Sequence, residues 1–361
     1  MGVRSIRFYD LPAVRHIEAD RDARLLWPAP LDTAPAAMHL ALASAWQDVN
    51  QTVFTFVQRR QGALVGLVQA AARPARDAWD LLRLAVAPLG PLDQGDADGE
   101  RERVVDELLE AMLHATASRG GLRAFARAAR DSHGQELLAR RGFRRYTDEY
   151  TLAADHLDVT PAPLPDQLSL RVRRPADAWG IFQLYCSVAP AEVRHAEGLS
   201  SKRWGRDSLA AATVGRLRRP HEIVLDDEGM IVGWVRLAGQ TTRQTQRLEV
   251  LLHPRAGDAL PALLAHAVVA LEIRRDRRTV CHVRAYEDAV LHGLRRVGFD
   301  SIDEHALLVK HAAARVTERQ LLLAALRAQS LGLDVSRSQQ QGAPHTWDPY
   351  RVGTTIPEHT E

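Results

Sequence analysis

The sequence predicts a mixed α/β protein in which one unit of strands and helices occurs twice. The first observation is a repeat: residues 56–70 align with residues 223–238, and four positions of the first segment recur 167 residues further on. Each segment has an apolar strand, a turn with glycine and a second apolar strand, which is typical of a β-hairpin. The matching pairs are Gly62 and Gly229, Val65 and Val232, Gly66 and Gly233, and Val68 and Val235.

The second observation is that the elements around this hairpin occur in the same order in both halves. Each half opens with a strand, at 5–9 and at 168–173, followed by a helix with an early proline. After the hairpin come a strand that ends in proline, at 79–88 and at 246–254, and a long amphipathic helix. The apolar stripes of these helices are Val104, Val105, Leu108, Leu109, Met112 and Leu113 in the first half and Leu260, Leu263, Leu264, Val268 and Leu271 in the second.

The third observation is that the two halves end alike. A further strand, at 122–128 and at 279–285, precedes a short helix that ends in Gly142-Phe143 in one half and Gly298-Phe299 in the other. Glycine suits the position after a helix C-terminus, because a left-handed backbone is needed there. The last segments are similar as well: TDEYTL at 147–152 and IDEHALL at 302–308.

These patterns divide the chain into four segments. The prolines of the linker interrupt both periodic patterns and indicate a stiff connection between two folding units. The predicted segments are a first domain at 1–159, a proline-rich linker at 160–167, a second domain at 168–311, and a C-terminal helix and tail at 312–361. An amphipathic helix expected at 317–330 can pack on a domain or mediate self-association, so a homodimer stays open.

Composition excludes several classes of protein. The formal net charge of +2 over 361 residues leaves no electrostatic footprint for nucleic acid. The longest apolar stretch, 259–273, is interrupted by His266 and Glu272 and is too short to span a bilayer, so we expect a soluble protein without membrane contact. Cys186 and Cys281 are the only cysteines, which predicts neither a disulfide framework nor a metal site and favours the reducing cytoplasm.

The order of elements, with proline after the fourth strand and Gly-Phe after the last helix, resembles the GNAT acyltransferase superfamily. The resemblance extends over residues 4–152 and 168–310. It implies two tandem GNAT-like folds, acetyl-CoA as co-substrate, and a small-molecule amine or a peptide amine as acceptor. In this family the cofactor lies where the fourth and fifth strands separate, with its pyrophosphate at the start of the following helix, where backbone N–H groups are free to bind an anion.

Both halves depart from the family's glycine-rich pyrophosphate loop. The first half has Gln94–Gly99, where Asp96, Asp98 and the following Glu100 oppose a phosphate, whereas the second has Pro254–Ala259. We therefore expect the cofactor, if bound, in the second half. The candidate contacts there are Leu251, Leu252, Arg255, Gly257, Asp258 and Ala259; Asp258 is equally explained as a helix N-cap.

The family's catalytic groups are a base that takes the ammonium proton and an acid that protonates the leaving thiolate. The usual acid is a tyrosine four residues before the glycine of Gly-Phe, but Leu138 and Leu294 stand there. Tyr286 is the candidate replacement. Glu249 lies on the fourth strand of the second half and is the candidate base, with His253 on the same strand face as its relay partner; an ion pair with Arg236 or Arg247 is the alternative role of Glu249.

Two functions are consistent with these features. The first is an acyl-CoA-dependent N-acyltransferase whose second half is the working domain. The alternative is a non-catalytic GNAT-like binding or scaffolding protein, which the missing tyrosines and the altered loops favour. Fold alone does not decide between them.

Overall fold

The computed structural model describes residues 2–27, 37–45, 52–73, 77–87, 94–157, 159, 163–199, 204, 222–238, 245–274 and 276–311. Residues 1–312 group into one compact unit. The expected helix at 317–330 and the rest of the C-terminal tail lie outside the described residues, as does the centre of the linker, 160–162.

The first half follows the predicted order of elements. Its strands and helices are β1 (Arg4–Ser5), α1 (Leu11–Ala19), β2 (Arg24–Leu26), α2 (Ala37–Ala45), β3 (Val53–Arg60), β4 (Ala63–Ala72), β5 (Ala78–Val86), α3 (Gln94–Ala117), β6 (Arg123–Ala129), α4 (His133–Arg140) and β7 (Arg144–Ala154).

The second half repeats this order. Its elements are β8 (Leu168–Val172), α5 (Ala178–Val188), α6 (Ala191–Glu197), β9 (Glu222–Asp227), β10 (Met230–Ala238), β11 (Thr245–Leu252), α7 (Leu260–Ala270), β12 (Arg278–Arg284), α8 (Asp288–Arg296) and β13 (Asp300–His311).

The strand expected at 5–9 is shorter than predicted. It ends at Ser5, and Phe8–Asp10 form a 3₁₀ turn instead. The cause is local: the Asp10 carboxylate accepts the Arg7 N–H at 2.9 Å, which bends the chain back on itself.

All the described strands belong to one sheet, whose order is β1-β3-β4-β5-β6-β13-β7-β12-β11-β10-β9-β8, with β2 paired to β5. The last strand of each half lies in the other half: β13 pairs with β6, and β7 pairs with β12. At the centre, His305 of β13 faces Glu149 of β7, and these two residues face Ala129 and Arg284, respectively, on their outer sides. We call this central region, β6-β13-β7-β12, the exchange seam.

The exchange of last strands concerns the predicted division of the chain into a first domain that ends at residue 159 and a second that begins at residue 168. The strand that corresponds to the fifth strand of the family is β6 in the first half and β12 in the second. Each has one neighbour from the other half, because β13 pairs with β6 and β7 pairs with β12. The domain boundaries stay a prediction, but the shared sheet argues against our expectation that each half folds by itself.

Helices cover both faces of the sheet. On one face, α3 and α4 pack on the first half and α7 and α8 on the second, around two large apolar cores. Strand alternation supplies these cores: in β6, Ala124, Ala126 and Ala128 join the α3 core, so Phe125 and Arg127 point to the opposite face. On that opposite face, α1 and α2 cover one end of the sheet and α5 and α6 the other.

The predicted Gly-Phe signals end helices α4 and α8 as expected. Gly142 and Gly298 have φ of 83° and 89°, a conformation that strongly favours glycine. The Phe143 N–H donates to Leu138 O at 3.1 Å, which is the six-to-one hydrogen bond of a Schellman motif. The same bond forms between Phe299 and Leu294, and both leucines, Leu138 and Leu294, are fully buried.

The same ion pair holds the first strand of each half, and we call it the clamp. Arg4 binds Asp10 at 2.7 Å, and Arg171, 167 residues later, binds Asp177 at 2.6 Å. The third member changes sign between the halves: Arg59 adds to Asp10 at 2.8 Å, whereas its counterpart, Asp226, adds to Arg171 at 2.9 Å. The repeat therefore preserves the clamp although its charges differ.

Candidate active site

The fourth and fifth strands of each half start side by side and then separate. In the first half β5 and β6 pair only from Ala78 to Leu81 of β5, and in the second half β11 and β12 pair only from Thr245 to Leu248 of β11. The family resemblance implies acyl-CoA binding in such a gap, so each gap is a candidate cofactor cleft.

Strand β2 fills the gap of the first half. Leu26 of β2 pairs with Leu84 of β5, on the stretch that has left β6. On its other side β2 contacts helix α4, since a Cβ atom built on Gly134 would lie only 2.1 Å from the Leu25 carbonyl oxygen. The backbone edge of β5 that a ligand would need is thus already used by the protein.

The predicted pyrophosphate loop of the first half is also different in the structure. Residues Gln94–Gly99, treated above as a counterpart of the family loop, belong to the first turns of helix α3. Helix α3 therefore begins with the segment that was expected to form a glycine-rich turn, and this segment is helical.

The gap of the second half is open in the part of the chain that the structure describes. Leu251 and Leu252 pair with Trp234 and Gly233 of β10 on one side, and no described strand pairs with Glu249–Leu252 on the side of β12. This backbone edge is where the sequence predicted cofactor contacts from Leu251 and Leu252. Those contacts stay a prediction.

Glu249 lies at the start of this open edge and is ion-paired. Its Oε2 atom is 2.6 Å from Nη2 and 2.9 Å from Nε of Arg236, and its Oε1 atom is 3.4 Å from Nη2 of Arg247. The side chain remains a quarter exposed. The ion pair named above as the alternative role is therefore present; it does not by itself decide whether Glu249 also accepts a proton.

His253 is not brought together with Glu249. Four residues of extended strand separate their Cα atoms by roughly 13 Å, so the relay expected between them has no direct contact. His253 instead precedes the 3₁₀ turn Pro254–Ala259 and accepts the Arg255 N–H on its Nδ1 atom at 3.3 Å. Burial, together with the nearby Arg255 charge, lowers the pKa of His253, which favours this neutral, accepting form.

The turn Pro254–Ala259 fits a phosphate group in part. Gly257 has room on its backbone, because an added Cβ would meet only Ala289 at an ordinary 3.5 Å. Arg255 binds Asp227 at 2.9 Å with both side chains partly exposed, and such a pair contributes only about 0–1 kcal/mol, so its guanidinium can be redirected at little cost. Asp258 and Ala259 complete the turn that leads into α7.

Tyr286 follows β12 and packs against the apolar core under α5 and α6. Burial and the nearby Glu287 carboxylate raise the pKa of Tyr286, so its hydroxyl keeps its proton at neutral pH and can donate it in a hydrogen bond. Leu294, at the family's usual acid position, is fully buried and has no proton to give. The acid role of Tyr286 stays a prediction.

The structure brings together a group of polar residues from separate elements of the second half. Glu197 at the end of α6 accepts the Tyr185 hydroxyl at 2.8 Å and lies 3.7 Å from Nη2 of Arg284. Glu287 accepts the Arg284 N–H at 2.7 Å, and burial raises its pKa to about 7, so it exchanges its proton near neutrality. These residues come from α5, α6 and the end of β12, which no sequence pattern links.

A second buried network occupies the exchange seam. Glu149 of β7 binds Arg284 and, at 2.9 Å, Nε of Arg127. Burial alone would raise the pKa of Glu149, but the guanidiniums of Arg284 and Arg127 and the imidazole of His282 outweigh it and lower the pKa to about 2. The sequence held one signal for this network, the similarity of TDEYTL and IDEHALL. These two segments lie side by side in the sheet, where Glu149 pairs with His305.

Next to this network lies a cavity of about 450 Å³, which we call the seam cavity. It is lined by residues of both halves, on the sheet face that is not covered by α3, α4, α7 and α8. Its polar lining residues are Arg73, Asp80, Arg127, Tyr146, Glu149, Arg247, His282, Arg284 and His305.

The comparisons with known proteins agree with this architecture. A GCN5-related N-acetyltransferase from Sphaerobacter thermophilus is 17% identical, with a TM-score of 0.52 over 86% of this chain and 95% of that protein. A tandem GNAT protein from the clavulanic acid biosynthesis pathway is 14% identical, with a TM-score of 0.50 over 86% of this chain and 98% of that protein.

The chain has a tandem GNAT fold. A glucosamine N-acetyltransferase region of a fungal multi-domain β-N-acetylglucosaminidase has a TM-score of 0.52 at 17% identity; the alignment covers 85% of this chain and 38% of that protein. No protein-family model matches the sequence, and no curated protein does. At these identities the similarity establishes the GNAT fold and the predicted fold class, and leaves the chemistry to the site.

Two features are absent from the described residues. Among them, no helix combines the length and apolar character needed to cross a membrane. Nor do the described histidines, cysteines and carboxylates form a group of three or more that could hold a metal ion.

Proposed function

We propose that the protein is an acyl-CoA-dependent N-acyltransferase whose second half is the working half. One observation carries this proposal: the two strand gaps of the GNAT fold differ. In the first half β2 pairs with β5 inside the gap, whereas in the second half the described edge at Glu249–Leu252 is open. A cofactor that needs backbone hydrogen bonds has them to gain only in the second half.

Acetyl-CoA would be held by the open edge of β11 and by the turn that follows it. Leu251 and Leu252 would offer backbone groups, and Arg255 with the N–H groups around Gly257 would bind the pyrophosphate at the start of α7. The cofactor supplies an activated acyl thioester. The acceptor is a small amine or a peptide amine, and the two free thiols, Cys186 and Cys281, suit a reducing cytoplasm.

Glu249 is the proposed base. It lies where β11 separates from β12, and would take the ammonium proton of the acceptor directly or through a water. This requires that the Arg236 guanidinium move away from Glu249 or bind a second anionic group as well. Tyr286 is the proposed acid, because its hydroxyl stays protonated at neutral pH and can donate a hydrogen bond to the leaving sulfur. His253 has no contact with Glu249, so its contribution would be limited to fixing the turn before α7.

A matched pair of variants tests the assignment to the second half. Gly257→Glu places a negative charge in the proposed pyrophosphate turn, and Gly99→Glu places one at the end of Gln94–Gly99, the segment that stands in its place in the first half. Both positions have space for a side chain, since nothing lies within 4 Å of a Cβ on Gly99 and that on Gly257 makes an ordinary contact. Loss of binding therefore reports on the site, not on folding.

Calorimetric titration with acetyl-CoA is the measurement. We expect Gly257→Glu to weaken binding at least about tenfold, because one charge-assisted hydrogen bond contributes about 1.5–3 kcal/mol, and Gly99→Glu to bind like the parent. Loss of binding in Gly99→Glu alone would place the cofactor in the first half. No binding to the parent protein would refute the proposed function.

A specific observation also favours the second candidate, a GNAT-like binding protein without catalysis. The family's acid position is a fully buried leucine in both halves, Leu138 and Leu294, each part of a helix-ending motif. If the parent binds acetyl-CoA but hydrolyses and transfers nothing across a broad panel of amines, this candidate is the better one.

A further inference from the structure

The seam cavity is lined by more positive than negative groups. Four guanidiniums border it, but only two carboxylates do. Both carboxylates are already engaged: Asp80 binds Arg73 at 2.7 Å, and Glu149 binds Arg127 and Arg284. Arg247 is the one of the four that forms no ion pair with either of these two carboxylates; its partner, Glu249, is not part of the lining.

The guanidinium of Arg247 makes fewer hydrogen bonds to the described residues than its N–H groups allow. Among the described residues its one ion pair is the 3.4 Å contact with Glu249, which is longer than a good charge-assisted hydrogen bond. Its Nε atom is buried and has no hydrogen-bond partner among the described residues. A buried guanidinium N–H without an acceptor is costly, so a ligand that supplies one gains that energy on binding.

Position links this cavity to the proposed reaction centre. Arg247 and Glu249 are two residues apart on β11, so their side chains lie on the same face with Cα atoms roughly 6.7 Å apart. A volume of about 450 Å³ lies within the range of small-molecule pockets. A group bound at Arg247 would hold a neighbouring amine within reach of the Glu249 carboxylate.

We propose that the acceptor is an amine that also carries a carboxylate or a phosphate, and that this anionic group binds Arg247 in the seam cavity. The inference rests on the proposed function for the role of the amine, but the anion site itself does not. Because β7 and β13 line the cavity together with β11 and β12, the acceptor site is then built from both halves of the chain.

The test measures anion binding directly, without turnover. The full-length protein is titrated with inorganic phosphate and, separately, with succinate, at constant ionic strength, and the melting temperature is followed. We expect a saturable rise with at least one probe, and the stronger of the two responses distinguishes a phosphate from a carboxylate acceptor.

Two arginine variants locate the site. Arg247→Gln should weaken the response roughly ten- to a hundredfold, as expected for loss of a charge-assisted hydrogen bond. Arg274→Gln removes an exposed guanidinium that binds Asp276 and is not part of the cavity lining, and should respond like the parent. Arg284 is a poorer choice, because it is buried between Glu149 and Glu197 and its loss would disturb folding.

Several outcomes would overturn the proposal. They are the absence of any saturable response in the parent, an unchanged response in Arg247→Gln, and a response that disappears in Arg255→Gln instead, which would place the anion at the cofactor turn. An acyl-transfer assay with β-alanine and its methyl ester separates the two inferences. Transfer to the ester but not to β-alanine contradicts an anionic acceptor; failure of acetyl-CoA to bind contradicts the proposed function and leaves the phosphate titration to decide this one.

Discussion

Replacing Glu149 by glutamine should cost the protein a measurable part of its stability, in a pH-dependent way. The Glu149 carboxylate is buried between Arg127 and Arg284, and its pKa is lowered from 4.5 to about 2. One pKa unit of difference between folded and unfolded protein is worth about 1.4 kcal/mol. The ionised carboxylate therefore contributes roughly 3 kcal/mol at pH 7.

The sign of the pH dependence follows from the direction of the shift. Because the pKa is lower in the folded protein, the contribution is complete above the unfolded value, near 4.5, and disappears as the pH falls through about 2. The same relation gives about 1.4 kcal/mol at pH 3. The difference between parent and Glu149→Gln should accordingly shrink by about half between pH 7 and pH 3.

Urea unfolding of both proteins at the two pH values is the assay, since comparing them at each pH removes the titration of all other groups. Glu304→Gln is the control: Glu304 adjoins His305 in sequence, but it is exposed and binds Arg130 at the surface, where a pair contributes about 0–1 kcal/mol. Equal stability of Glu149→Gln and Glu304→Gln at pH 7 would refute the reasoning.

Two further predictions concern the separated strands. Glu249→Gln keeps the shape of the side chain but removes its basicity, so turnover should fall about 10²–10⁴-fold with acetyl-CoA affinity nearly unchanged; turnover within about threefold of the parent would make Glu249 purely structural. Gly134→Ala should lower the free energy of unfolding by about 1–3 kcal/mol, because its Cβ meets the Leu25 carbonyl and displaces β2. Gly99→Ala, a helical position in open space, should be neutral or stabilising in the same urea experiment, and equal effects would show that β2 does not depend on that contact.

Much of the fold could be predicted because its signals are local. Alternating apolar residues around a glycine turn predict each hairpin. The Gly-Phe pairs predict the ends of α4 and α8, because glycine readily adopts the left-handed backbone found there. The amphipathic stripes of α3 and α7 likewise place the cores without knowledge of the partner strand.

The strand exchange could not be predicted in the same way. Alternation in β7 and β13 tells which residues are buried, but an apolar strand fits equally well beside either fifth strand, so it does not identify its neighbour. The three residues of β2 are too few to show any period, and thus gave no sign that one gap is filled.

For the candidate site, the sequence could indicate only residues that lie close together along one strand and the turn after it. Glu249, Arg255 and Gly257 were predicted from their positions near Pro254, just after β11, whereas the network of Glu149 and Arg284 joins residues 135 positions apart. The relay between Glu249 and His253 was inferred from alternation alone, which fixes the face of a strand but not the distance along it.

The exchanged strands also say something about origin. A single unit, cut off from the rest, would leave the outer edge of its fifth strand without a partner and its last strand without a place, and a second copy could satisfy both needs by reciprocity. Two such copies would be related by a twofold axis between β7 and β13, with each open edge closed by the other. The segment at 160–167 joins within one polypeptide what would otherwise be two subunits. Within one polypeptide the two copies need not be identical, and the described residues differ in this respect: β2 closes the cleft of the first half, whereas the described edge of β11 is open in the second.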